Sequence, residues 1–129
     1  ALVGLALTSE RARMSAWRNA FGNPDRLVLE DAASRARTAR VKGTADAMVA
    51  MIASPSASAL PTGLERIAAP TLIISGDKDR AVPHWLCKRL ARKLPNARLV
   101  ALEGAGHLPH VELPEIVNRW MLDFLNAEN

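Results

Sequence analysis

Apolar and polar positions divide the chain into a helical first third and a strand–helix alternation after residue 63. The run Leu2–Leu7 is short, continuous and apolar, and Thr8-Ser9 closes it. That pattern predicts a buried strand followed by a helix N-cap. Met14, Trp17 and Phe21 then fall three and four positions apart, which predicts a helix from Glu10 to Phe21, broken by Gly22-Asn23-Pro24-Asp25. A second helical stretch from about Asp31 to Lys42 stops at Gly43, a residue suited to a helix C-terminus. Thr44 can cap a third helix over Ala45–Ala53, with Met48, Val49 and Ile52 on one side. Ser54–Ser58 and Pro61-Thr62-Gly63 have loop composition.

Beyond Pro70 the period changes. Leu72-Ile73-Ile74 reads as a parallel strand buried on both faces, closed by Gly76-Asp77-Lys78-Asp79. Pro83 opens a helix whose stripe is Leu86, Cys87, Leu90, Ala91 and Leu94, and Pro95-Asn96 stops it. Arg98–Leu102 is a further strand, ended by Gly104-Ala105-Gly106-His107. Pro114 and Glu115 open a last helix with Ile116, Val117, Trp120, Met121 and Phe124 facing inward. Strand, helix, strand, helix predicts an α/β fold with a parallel sheet of about three strands, counting Leu2–Leu7. The chain divides into residues 1–63, a first strand with a helical cap, and residues 64–129, an α/β core.

Composition narrows the function classes. The 129 residues are 49% hydrophobic and 23% charged, which excludes a disordered chain. No apolar run approaches the ~18 residues that cross a bilayer, and the opening apolar run lacks a basic flank, so neither a membrane protein nor a signal peptide is expected. One cysteine, Cys87, excludes a disulfide framework and points to a reducing, cytoplasmic setting. The net charge of +4 includes a cluster of Arg35, Arg37, Arg40 and Lys42. None of the five aromatics lies inside that cluster, while Glu30 and Asp31 lie within helical reach of Arg35, so a solvated helix face is expected there rather than a nucleic-acid surface.

The candidate chemistry sits in the loops after the two later strands. Both loops fall at the carboxyl edge of a parallel sheet, where open α/β sheets bind ligands. Neighbouring strands lie ~4.8 Å apart, so a carboxylate in the first loop can reach His107 in the second. An Asp that accepts from one imidazole nitrogen fixes the tautomer and frees the other nitrogen to take a proton. Asp77 and Asp79 both lie in the first loop.

The stretch Pro70–Pro83, with Ser75-Gly76-Asp77-Lys78-Asp79 and Val82-Pro83, resembles the acid-bearing segment of α/β-hydrolases. Gly104-Ala105-Gly106-His107-Leu108-Pro109, continued by Glu112-Leu113-Pro114-Glu115, is similar to that family's histidine loop and final helix. The order of carboxylate then histidine is the family's. By this resemblance Asp79, three positions after Gly76, matches the triad acid and His107 the triad base. The likeness covers roughly Leu64 to Leu125, is looser over Ala1–Ala53, and is closest to ester and lactone hydrolases of the enol-lactonase and haloperoxidase-like kind. No Gly-x-Ser-x-Gly nucleophile elbow occurs in the 129 residues. With no elbow, oxyanion-hole segment or preceding strands in the 129 residues, the chain reads as the C-terminal portion of such a hydrolase, from about strand six onward.

Three substitutes for the elbow serine present themselves. Ser9 follows the first strand, though its place before Glu10 reads first as an N-cap. Cys87 is nucleophilic but lies on the apolar stripe of its helix. His107 can instead activate water directly, a weak route without oxyanion donors. His84 and His110 read as surface or supporting residues. The spacing of His107, His110 and Glu112 matches no metal pattern, and Gly104-Ala105-Gly106 alone is no dinucleotide loop. The expectation is therefore a promiscuous hydrolase of activated carboxylic esters or lactones, using Asp79 and His107 with no metal or cofactor. An inactive fragment or one half of a split hydrolase is the alternative. In the resembled fold strand six pairs with strand five, which this chain lacks, so Leu2–Leu7 would present an open edge and a homo-oligomer is expected.

Overall fold

The computed structural model describes residues 10–26, 41–53 and 60–127. The Leu2–Leu7 strand, Ser9, most of the 31–42 helix with Arg35, Arg37 and Arg40, and the Ser54–Ser58 loop lie outside the described residues. Two compact units divide the chain: residues 1–19 with 27–60, and residues 20–26 with 61–129.

Helix α1 spans Glu10–Ala20, with all but its last residue in the first unit. Met14 and Trp17 are half-buried on it, and Arg18 in the last turn complements the helix dipole. Helix α2 spans Thr44–Ala53. It begins one residue earlier than the Thr44 cap implies, because the carbonyl of Gly43 accepts from Ala47 N at 2.9 Å. Gly43, at φ 87°, thus takes the N-cap place.

The second unit opens with residues 20–26, which end in a 3-10 turn at Pro24–Arg26 and bury Phe21 to 3% exposure. After a 3-10 turn at Leu64–Arg66 come strand β1 (Thr71–Gly76), helix α3 (His84–Lys93), strand β2 (Ala97–Leu102), the short helix α4 (Pro109–Glu112) and helix α5 (Pro114–Ala127). β1 and β2 pair in parallel from Thr71↔Ala97 to Gly76↔Leu102. This register places Leu72, Ile74, Val100 and Leu102 on one face, where they pack with Ala105, Leu113, Val117 and Trp120. The opposite face carries Ser75, which meets His84 at the start of α3. The α3 stripe is as patterned, with Leu94 the most buried member.

Three details of the fold differ from what the sequence pattern implies. On α5 only Val117 is fully buried; Trp120 and Phe124 are half-buried, while Ile116 and Met121 are 46% and 48% exposed. Among the described residues a two-stranded face receives the helix, and the contact stripe is narrower than the apolar arc. For the same reason Leu72, Ile73 and Ile74 are half-buried rather than sealed on both sides. The sequence also gave no sign of α4, since Pro109 and Pro114 bracket a segment too short for periodicity.

Candidate functional site

The ends of β1 and β2 are stitched together beyond the ladder itself. Asp77 N donates to Leu102 O at 3.1 Å and Lys78 N to Ala105 O at 2.9 Å. The Asp77 side chain turns the other way and accepts from Gly104 N at 2.7 Å. The nearer acid of the loop thus binds backbone, leaving Asp79 to face the imidazole.

Asp79 is fixed by its own turn. Oδ1 accepts from Ala81 N at 2.8 Å and Val82 N at 2.9 Å, an Asx-type arrangement that sets the carboxylate plane. The other oxygen, Oδ2, lies 3.0 Å from His107 Nδ1. A carboxylate offers only lone pairs, so Nδ1–H donates and Nε2 keeps its own lone pair. The side chain of Asp79 is 9% exposed and that of His107 42%. A shielded acid behind a solvent-facing imidazole is the arrangement that orients a general base.

Neighbouring groups hold this pair in place. Ser75 Oγ and His84 Nδ1 share a hydrogen bond of 2.9 Å, joining the last turn of β1 to the first turn of α3. The seven residues of the acid loop are thus pinned at both ends. His107 N donates to Ala20 O at 2.6 Å. Glu112, 6% exposed, accepts from Gly106 N at 2.6 Å, Gly22 N at 2.9 Å and Asn23 N at 3.2 Å. Ser75 and Glu112 carried no assigned role in the sequence. A polar residue inside the apolar run of β1 was the available signal for Ser75; nothing in the spacing pointed to residues 20–23 as partners of Glu112.

Cys87 is half-buried on α3 and His110 is exposed on α4. Ser9 lies outside the described residues. Gly104-Ala105-Gly106 forms the entry to the histidine loop. Among the described residues no group of three or more His, Cys, Asp or Glu converges to hold a metal ion. No helix among them is long and apolar enough to cross a membrane. A groove of about 470 Å³ lined by Pro70, Asn96, Arg98 and Phe124 opens at the amino-terminal edge of the sheet, the end away from Asp79 and His107.

Comparison with known proteins gives this geometry a context. A 2-hydroxy-6-oxononadienedioate/2-hydroxy-6-oxononatrienedioate hydrolase of Pseudomonas putida is 44% identical over 62 residues, 48% of this chain and 22% of the relative. The solved meta-cleavage product hydrolase of Pseudomonas fluorescens superposes with a TM-score of 0.78 over 94% of this chain and 47% of its own, at 23% identity. A bromoperoxidase from Bacillus anthracis gives 0.74 over 97% and 47%, also at 23% identity. These two likenesses show the fold. The chain spans 22% to 37% of the length of the curated relatives it matches. The model of the alpha/beta hydrolase family matches residues 1–120, and the chain belongs to that family.

Proposed function

We propose that the chain is a hydrolase of activated carboxylic esters or lactones in which His107, oriented by Asp79, acts as general base. The observation that carries this reading is the 3.0 Å contact between His107 Nδ1 and the shielded Oδ2 of Asp79, which leaves Nε2 as the free base. Nε2 takes a proton from water as the water oxygen attacks the ester carbonyl carbon. The tetrahedral intermediate then collapses, the ester C–O bond breaks, and the imidazolium returns the proton to the departing oxygen. An activated ester is the fitting substrate class, because a good leaving group lowers the demand for oxyanion stabilisation, itself worth ~10²–10³ in rate.

The test is turnover of an activated aryl ester by the wild-type chain and by His107→Ala. A positioned general base is worth about 10²–10⁴, so the variant is expected to lose turnover by about 10²-fold or more. Equal rates would remove the proposal. That the 129 residues hold no Gly-x-Ser-x-Gly favours a second reading, in which the chain is a non-catalytic module or one half of a split hydrolase. Under it, neither protein turns over ester alone.

A further inference from the structure

We propose that Glu112 is the positioning residue of His107: its buried carboxylate sets the main chain of the histidine loop, and through it the direction of the imidazole. The inference rests on the reading of His107 as base and assigns Glu112 no contact with substrate. Glu112 closes the short helix α4, five residues after His107, and is 6% exposed. Among the described residues it has no ion pair. Burying a carboxylate without a counter-ion is costly unless hydrogen bonds replace its water. Here three backbone N–H groups do so: Oε1 accepts from Gly106 at 2.6 Å, and Oε2 from Gly22 at 2.9 Å and Asn23 at 3.2 Å. A single side chain thus ties the residue before His107 to the segment 22–23. A residue just before that segment returns the tie, since Ala20 O accepts from His107 N at 2.6 Å.

The two bonds hold the backbone on either side of the Gly106 Cα, one at Gly106 N and one at His107 N. They restrain the main chain that leads into His107, whose Nδ1 meets Asp79 Oδ2. The close approach depends on glycine. A Cβ on Gly106 would strike Ala20 O and Gly22 N, and one on Gly22 would strike Gly104 O. A neutral side chain cannot do the same work. Gln has one acceptor oxygen and sets an NH₂ donor against the N–H groups that the second oxygen received.

The experiment compares wild type, Glu112→Gln and Glu112→Asp, with folding checked by circular dichroism. A long-range ¹H–¹⁵N spectrum of the imidazole reports which ring nitrogen carries the proton. Wild type is expected to hold His107 as the Nδ1–H tautomer. Glu112→Gln is expected to give a tautomer mixture and, with a misplaced base, to lower kcat on p-nitrophenyl acetate by about 10²-fold at unchanged KM. Glu112→Asp, which keeps the carboxylate but shortens its reach, is expected to fall between. A folded Glu112→Gln with the wild-type tautomer overturns the proposal. If that variant does not fold, a folded Glu112→Asp with wild-type tautomer and rate overturns it instead. The spectrum needs no turnover, so a wild-type chain inactive on the ester would refute the functional reading while the tautomer still decides the role of Glu112.

Discussion

At the scale of single residues, the site separates two acids by what each oxygen receives. Asp77 spends an oxygen on Gly104 N, whereas Asp79 spends Oδ1 on its own turn and keeps Oδ2 for His107. Asp79→Asn is informative for this reason. The amide oxygen takes the Oδ1 place, since Ala81 and Val82 donate there, and the NH₂ then faces His107. Nδ1 must become the acceptor, the proton moves to Nε2, and the base is lost. Cys87 offers the contrasting case. It is half-buried on the α3 stripe and is not in contact with the pair through any bond among the described residues. Cys87→Ser is expected to leave ester turnover unchanged, since no hydrogen bond or ion pair joins it to Asp79 or His107. Loss of turnover in Cys87→Ser with retention in His107→Ala would reverse these assignments.

At the scale of elements, α5 shows that an apolar position is not the same as a core position. Val117 is 3% exposed within the cluster of Val100, Leu102 and Ala105, while Ile116, one residue away, is 46% exposed. Val117→Ala is expected to cost about 1–3 kcal/mol and Ile116→Ala less than about 0.5 kcal/mol, read from chemical denaturation. Similar losses at both positions would mean that the helix face is assigned wrongly. The same contrast explains what the sequence made legible. β1, α3, β2 and α5 were readable because each has a strong period with a proline or glycine at a boundary, whereas the choice of Asp79 over Asp77 rested on the resemblance to α/β-hydrolases rather than on the pattern. The width of α5's buried stripe was not readable, as it depends on how much sheet lies beneath. Glu112 was not readable either, because its partners Gly22 and Asn23 lie 90 and 89 positions away and donate through backbone, which carries no side-chain signature.

At the scale of the whole molecule, Met121, Leu122 and Leu125 give α5 an exposed apolar flank, 48%, 59% and 55% accessible. Contiguous apolar surface of this kind marks an interaction site, and a two-fold axis lets one copy cover the same flank on another. The 129-residue chain is therefore expected to sediment as a dimer or a multiple of one at micromolar concentration, and a folded monomer there would refute this. Asp79 and His107 both lie in the second unit. The two side chains are expected to act as one device, with the acid working only through the imidazole. Its most direct test is a double-mutant cycle on kcat/KM for an activated aryl ester, using Asp79→Asn, His107→Ala and the pair together. The predicted result is a large loss from Asp79→Asn in the wild-type background and no further loss once His107 is alanine. Additive losses from the two substitutions would contradict the coupling of Asp79 to His107.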